Sequence, residues 1–223
     1  MGIGFRPSVY KLPLTFILAV FLGQDIQPWV IPSETEAQPP SSIEGSDQHR
    51  TESVEKISRI LSRFDTGLSW DQENRISSFI EAESRRYGYD PELILAMIFT
   101  ESSFRNRAVS DDGAVGLMQI IPDTGRELAE SSQVAWRGTE PLFDPFVNIH
   151  LGIQYLKMMH QKFGDLRLAL EAYNQGPNRV LRWLNHSEPV PMDYAEKVLT
   201  EYQNFLSSNT PAQKIELADR TTS

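Results

Sequence analysis

The apolar segment at positions 93–99 places the strongest restriction on the fold, because it reads Leu-Ile-Leu-Ala-Met-Ile-Phe without interruption. It follows Asp90-Pro91-Glu92, a typical helix start. Aspartate can cap free amides, proline suits the first helical position, and glutamate favours the positive end of the helix dipole. A helix that is apolar on every side is buried on every side. The other elements must therefore surround a central helix that begins near Pro91.

The remaining periodic stretches also indicate helices, and no segment shows sustained two-residue alternation. Gly88 closes one of them and Asp144-Pro145 opens another. A polar helix is expected to begin at Pro122. The other predicted helices cover residues 76–87, 145–163, 166–174, 180–183 and 193–206. The pattern predicts an all-α fold.

The N-terminal region resembles an export signal. Arg6 and Lys11 precede an apolar run at 12–23, which suits a signal peptide and is short for a membrane span of ~20 residues. An uncleaved membrane anchor is the alternative, and either reading places the bulk of the protein outside the cytoplasm. The predicted organisation is a signal or anchor at 1–23, a disordered linker at 24–53, a short amphipathic helix at 54–67 that packs on the domain or acts as a spacer, the main domain at 68–206, and a disordered tail at 207–223.

Composition excludes several classes of function. The formal net charge is -9, which argues against nucleic acid as a partner, since its binders carry basic patches. The chain has no cysteine, so it has neither a disulfide nor a cysteine nucleophile. The histidines are scattered and form no ligand pair, so we expect no metal and no cofactor.

Glu101 follows the central apolar run directly and is a candidate for acid–base chemistry. A carboxyl at the edge of an apolar wall has its charged form disfavoured, so its pKa should rise. A general acid that works near neutral pH needs this property. The alternative is a glutamate that marks the point at which a buried helix meets solvent.

Two other segments have the features of a binding cleft. Residues 113–122 contain two glycines, which permit close backbone approach to a ligand, together with Met118 and the amide of Gln119. Tyr173 and Asn174 lie at a helix end closed by Gly-Pro. The alternatives are a glycine-containing connector with a buried core and a capped helix end.

Taken together, Glu-Ser-Ser-Phe at 101–104, Gly-Leu-Met-Gln at 116–119 and Ala-Tyr-Asn at 172–174 closely resemble the motifs of soluble-type lytic transglycosylases. The resemblance covers roughly residues 70–205. It implies an all-helical, lysozyme-like (goose-type) domain with a substrate cleft. The implied activity is non-hydrolytic cleavage of the MurNAc-GlcNAc β-1,4 bond of peptidoglycan, which gives 1,6-anhydromuramoyl products without a metal.

The resemblance also implies roles for individual residues. Glu101 is the only catalytic carboxylate, acting first as acid and then as base. The implied substrate-binding residues are Ser110 near the acetamido group, Met118 and Gln119 in the cleft, and Tyr173 with Asn174 beside the glutamate. Asp111 and Asp112 are the nearest second carboxylates in sequence, and we interpret them as solvated turn residues. Asn148 is interpreted as a structural residue.

The sequence departs from the family near its C-terminal end. Many members carry Ile-Pro and then a Glu-Thr pair ahead of Tyr-Val, whereas here Val-Pro-Met-Asp at 190–193 leads directly into Tyr194. We expect this difference to affect the cleft wall and the glycan subsites more than the chemistry. Two rival functions stay open: a lysozyme-type hydrolase on the same fold, and a non-catalytic glycan-binding scaffold. Peptidoglycan strands are the expected partner, in the periplasm or outside the cell.

Overall fold

The computed structural model describes residues 44–132 and 134–207. The predicted signal at 1–23, the linker up to residue 43 and the tail from residue 208 lie outside the described residues. Within these ranges the chain forms helices and isolated β-bridges but no strand, and none of the helices is long and apolar enough to cross a membrane. The helices are α1 (Glu44–Leu61), α2 (Trp70–Tyr87), α3 (Pro91–Ser102), α4 (Pro122–Ser131), a short 3₁₀ helix (Glu140–Phe143), α5 (Pro145–Phe163), α6 (Leu166–Gln175), α7 (Pro177–Asn185) and α8 (Asp193–Ser207).

Helix α3 is the central helix that the sequence predicts. Residues 93–98 are all buried, and α3 packs against α1, α2 and α8. Its first turn differs from the prediction, because the Asp90 side chain makes no capping hydrogen bond. Instead, Asp90 Oδ2 accepts a hydrogen bond of 2.8 Å from the Tyr202 hydroxyl of α8. The aspartate therefore connects two helices and does not cap its own.

Helix α5 is the second buried helix and begins as predicted. Asp144 caps it, since its carboxylate accepts hydrogen bonds from the backbone amides of Phe146 at 2.9 Å and Val147 at 3.3 Å. The helix runs to Phe163 and ends at Gly164, which adopts a left-handed conformation. It contacts α2, α4 and α6, so α3 and α5 form the interior around which the other helices are arranged.

Helix α1 begins at Glu44, so residues 44–53 are helical and the predicted linker is wrong there. It also ends at Leu61, earlier than the predicted residue 67. Ile57 belongs to the hydrophobic core, so α1 packs on the domain and is no spacer. Long-range ion pairs help to hold its polar part in place: Arg50 Nε lies 3.3 Å from the buried carboxylate of Glu81 on α2. Composition cannot reveal such a partner.

Candidate active site

Glu101 lies in the last turn of α3, and the helix ends directly after it. The next residues, Ser103 with φ 51° and Phe104 with φ 62°, both adopt the left-handed conformation that is uncommon for residues with a Cβ. The Phe104 ring is fully buried, with its centroid 4.8 Å from that of Phe64 and 5.7 Å from that of Phe99. This aromatic packing holds the helix end and places the Glu101 carboxyl at the edge of the core.

The Glu101 carboxyl accepts a hydrogen bond of 2.6 Å from the Tyr194 hydroxyl. Burial raises the pKa of Glu101 from 4.5 to about 7, and the hydrogen bond from Tyr194 opposes part of that rise because it favours the carboxylate. The direction of this shift agrees with the pKa increase that the adjacent apolar run predicts. A carboxyl of this pKa holds a proton near neutral pH and can also release it, which suits a group that must act as both acid and base.

A row of tyrosines lies beside this carboxyl. The rings of Tyr173 and Tyr194 are nearly parallel, at 8°, with centroids 6.5 Å apart, and the ring of Tyr155 lies 5.1 Å from that of Tyr173. The Tyr173 hydroxyl donates a hydrogen bond of 2.8 Å to the Met118 carbonyl. Burial, with a further contribution from the charge of Glu101, raises the pKa of Tyr173 and Tyr194 well above 10. Both hydroxyls therefore stay protonated and remain donors.

The loop that contains the Gly-Leu-Met-Gln motif is fixed by Asn148, whose side chain is fully buried. Its Oδ1 accepts from the Met118 amide at 2.7 Å, and its Nδ2 donates to the carbonyls of Val115 at 2.8 Å and Leu142 at 2.9 Å. Gly116 has φ +82°, and a Cβ there would lie 2.6 Å from the Leu142 carbonyl oxygen. Only glycine fits this site, and the contacts support the structural role indicated for Asn148.

The position of Met118 requires a correction. Its side chain is fully buried against Gly152 of α5, where an added Cβ would lie 2.8 Å from the Met118 Cβ. The side chain therefore packs the core and offers no surface to a sugar, contrary to the predicted substrate contact. The residue contributes instead through its backbone, which joins Tyr173 on one side and Asn148 on the other.

Gln119 is half-buried and adopts a left-handed conformation with φ 49°. Its side-chain amide nitrogen donates hydrogen bonds to the carbonyls of Gly116 at 2.9 Å and Ala108 at 3.3 Å. The nitrogen of the amide that the sequence predicts in the cleft is thus engaged in holding the loop against the segment that precedes Ser110, whereas these bonds do not involve its oxygen.

Ser110 and Asn174 are half-buried and form hydrogen bonds within their own segments. The Ser110 hydroxyl oxygen accepts from the Ala114 amide at 3.0 Å, and Asn174 Oδ1 accepts from Gln175 Nε2 at 2.9 Å. Neither of these bonds reaches Glu101. The structure therefore brings Glu101, Tyr194, Tyr173 and the Met118 carbonyl into one connected group, while Ser110 and Asn174 lie on the neighbouring loop and helix end.

Tyr194 is the residue of this site that the sequence prediction omits. It contacts Glu101 directly, although 93 positions separate them in the chain. The only signal in the sequence is its loose match to the Tyr-Val of the family, in the segment that departs from the family pattern. Asp111 and Asp112 are exposed, as expected for turn residues. Among the described residues, no group of three or more His, Cys, Asp or Glu side chains is arranged to hold a metal ion.

Curated relatives are similar to about half of this chain. The chain is 35% identical over 139 residues to membrane-bound lytic murein transglycosylase C of Mannheimia succiniciproducens, covering 56% of this chain and 37% of that protein. It is 39% identical over 95 residues to the soluble lytic murein transglycosylase of Salmonella typhimurium, covering 42% of this chain and 15% of that protein. The chain thus spans well under half the length of either relative.

Solved structures show the same likeness. An inactive mutant of the lytic transglycosylase Slt of Pseudomonas aeruginosa matches with 31% identity and a TM-score of 0.53, over 59% of this chain and 24% of that one. The 70-kDa soluble lytic transglycosylase of Escherichia coli matches with 23% identity and a TM-score of 0.52, over 74% and 31%. The second match concerns the fold alone, and it confirms the predicted all-helical, lysozyme-like architecture. The family model of the Transglycosylase SLT domain matches residues 78–192, just over half of the chain, and the chain belongs to this family.

Proposed function

We propose that this protein is a murein lytic transglycosylase, which cleaves the β-1,4 bond between MurNAc and GlcNAc in peptidoglycan and leaves 1,6-anhydromuramoyl ends. The observation that carries the proposal is the raised pKa of Glu101 together with its hydrogen bond from Tyr194. The Glu101 side chain is a carboxyl at the edge of the core with a pKa of about 7, and a tyrosine hydroxyl lies 2.6 Å away. The membership of the chain in the Transglycosylase SLT domain family supports the choice of substrate.

In the proposed reaction Glu101 acts twice. As an acid it gives its proton to the glycosidic oxygen, and the bond from that oxygen to C1 of MurNAc breaks. The N-acetyl group of the same sugar stabilises the positive charge that develops at C1. The Glu101 carboxylate then takes the proton from the 6-hydroxyl, whose oxygen bonds to C1. Atoms and charges balance without water, and the carboxyl is again protonated.

Tyr194 has a defined part in this cycle. Its hydroxyl donates to Glu101, so it stabilises the carboxylate that exists after the first proton transfer. Hydrogen bonds to the charged form of an acid lower its pKa, which keeps the pKa of Glu101 near 7 where proton donation and proton removal are balanced. We assign substrate contacts to Ser110, Gln119 and Asn174, on the loop and the helix end beside Tyr173.

The proposed location is the periplasm or the cell exterior. Residues 1–23 would direct export, and residues 12–23 would hold the protein at the inner membrane if the signal is not cleaved. The net charge of -9 gives no attraction to an anionic wall polymer, so we expect recognition to depend on shape and hydrogen bonds in the cleft. Analysis of the mature N-terminus of the exported protein would distinguish a cleaved signal from an anchor.

The test is incubation of the purified full chain with peptidoglycan, followed by mass spectrometry of the soluble products. Muropeptides with 1,6-anhydro ends are expected, each lighter by one water than a hydrolysed product. Hydrolysed products would instead establish the lysozyme-type reaction. Binding of peptidoglycan without release of any product would establish a non-catalytic glycan-binding protein.

Matched variants of Glu101 and of two neighbouring aspartates test which carboxylate the reaction requires. Glu101→Gln should abolish release while the circular dichroism spectrum and the unfolding transition persist, because glutamine keeps the shape but has no acidic proton. Asp111→Asn and Asp112→Asn change the exposed carboxylates nearest in sequence and should keep full activity. Undiminished release by Glu101→Gln, or its loss in an aspartate variant, would contradict the single-carboxylate mechanism.

A further inference from the structure

Helix α6 carries a buried carboxylate that the proposed mechanism does not use. Glu171 is only 1% exposed and lies two positions before Tyr173. Its Oε1 accepts a hydrogen bond of 2.8 Å from the backbone amide of Ala195, and the backbone amide of Tyr194 also lowers the pKa of this carboxyl. Both amides belong to the first turn of α8, so Glu171 holds the start of another helix.

The first turn of α8 needs such an acceptor. The first amides of a helix have no partner within it and are usually satisfied by a side chain just before the helix. Here the carbonyl of Met192 accepts from the Glu196 amide at 2.9 Å, which makes Met192 the residue that precedes the helix. A methionine side chain offers only a weak acceptor. Glu171 supplies the missing oxygen and also places a carboxylate at the positive end of the helix dipole.

The residue next to Ala195 in this turn is Tyr194, the donor to the Glu101 carboxyl. We propose that Glu171 is a positioning residue, which fixes the first turn of α8 so that the Tyr194 hydroxyl lies within hydrogen-bond distance of Glu101 Oε1. Glu171 would touch no substrate and would act through Tyr194 alone. The consequence for activity rests on the proposed function, whereas the effect on Glu101 itself does not.

The groups around Glu171 act on its pKa in opposite directions. Burial raises the pKa of Glu171, the two backbone amides lower it, and the nearby carboxylates of Asp193 and Glu196 raise it further. Glu196 is engaged with Arg167, whose Nη2 lies 3.3 Å from its Oε1. The amides stabilise the carboxylate of an acid that is buried beside two like charges. Because the carboxylate depends on this stabilisation, we expect the position to be sensitive to substitution.

The direction in which the pKa of Glu101 changes when Glu171 is removed distinguishes positioning through Tyr194 from a direct charge effect. Two titratable groups interact with Glu101. Tyr194 donates a hydrogen bond to it, and the charge of Glu101 raises the pKa of Tyr173. If Glu171 acts through Tyr194, its removal loosens a hydrogen bond to the Glu101 carboxylate and raises the pKa of Glu101. If Glu171 acted only as a nearby negative charge, its removal would lower the pKa of Glu101.

The experiment is a pH titration of the Glu101 side-chain carboxyl by ¹³C NMR in the full chain. Tyr194→Phe should raise the Glu101 pKa by about one, a roughly tenfold change in the ionisation equilibrium, because a hydrogen bond to a charged group is lost. Glu171→Leu should shift it in the same direction by a similar amount. Glu171→Gln keeps one acceptor oxygen and should give a smaller rise. The double variant Glu171→Leu/Tyr194→Phe should match Tyr194→Phe alone.

Glu83→Gln is the control for general destabilisation. Glu83 is a buried carboxylate between α2 and α5 that binds His150 Nδ1, so its loss removes a comparable hydrogen bond far from α8 in the chain. It should lower the unfolding temperature without moving the Glu101 pKa. If Glu171→Leu does not fold, the pKa of Glu101 is measured instead in Glu171→Gln and in its double variant with Tyr194→Phe. An unchanged or lowered Glu101 pKa in the Glu171 variants, or full additivity with Tyr194→Phe, would overturn the proposal.

This readout is independent of catalysis. If the wild-type protein released no anhydro products, the proposed function would fail while the titration would still test the role of Glu171. If it does release them, the high-pH limb of the activity profile should move upward with the Glu101 pKa in each variant. Activity that falls equally at every pH, with the Glu101 pKa unmoved, would show that Glu171 serves only to stabilise the fold.

Discussion

Replacing Glu101 with glutamine should stabilise the folded protein above about pH 7 and leave its stability nearly unchanged below about pH 4. Glutamine has nearly the same shape as glutamate, and its amide oxygen can still accept the hydrogen bond from Tyr194. The substitution therefore removes an ionisable proton without opening a cavity. The residue proposed to carry the chemistry would then be one whose ionisation opposes folding.

The magnitude follows from the pKa of Glu101 in the two states. Burial raises it from 4.5 to about 7 in the folded protein. Below the lower value the carboxyl is protonated in both states, so its ionisation does not affect folding. As the pH rises further, the unfolded chain ionises first and the wild-type protein loses stability until the folded pKa is passed. Each pKa unit corresponds to about 1.4 kcal/mol, so the difference should approach about 3 kcal/mol.

The measurement is urea unfolding of the wild-type and Glu101→Gln proteins between about pH 4 and pH 8, with the free energy of unfolding extrapolated to water. Glu130→Gln, which alters an exposed carboxylate on α4, serves as the control and should give no pH-dependent difference. A stability difference between wild type and Glu101→Gln that stays constant across this range would refute the raised pKa. It would also remove the main physical support for Glu101 as the acid.

Two further substitutions test the packing that supports the site. Gly152→Ala would bring a Cβ to 2.8 Å from the Met118 Cβ, so we expect a loss of about 1–3 kcal/mol in the free energy of unfolding, measured by chemical denaturation; no loss would contradict the close contact of α5 with the loop. Ile57→Ala should cost about 2–4 kcal/mol, because Ile57 is 1% exposed in the core. Val54→Ala, at a half-buried position of the same helix, should cost less, and equal effects would argue against α1 as part of the folded unit.

The sequence alone determined the helical class, the central helix and the candidate acid. Within a folded domain an apolar helix is stable only in the interior, so residues 93–99 predict both a buried helix and a raised pKa for the carboxyl that follows. Helix boundaries that proline and glycine mark depend on neighbouring residues as well. They correctly predict that α2 ends before Gly88 and that α5 begins at Pro145. These features depend on residues a few positions apart, so sequence reasoning can find them.

Which side chains meet depends on how the helices pack against one another. The partner of Glu101 is Tyr194 and the anchor of α8 is Glu171, and both contacts join helices that are distant in the chain. The same holds for Arg50 with Glu81, which joins the polar part of α1 to α2. The sequence predicts Met118 in the cleft, but its side chain lies in the core, because Gly152 of α5 leaves room for it. Side-chain periodicity records which face of a helix is buried, whereas the partner across that face is set by how the helices pack.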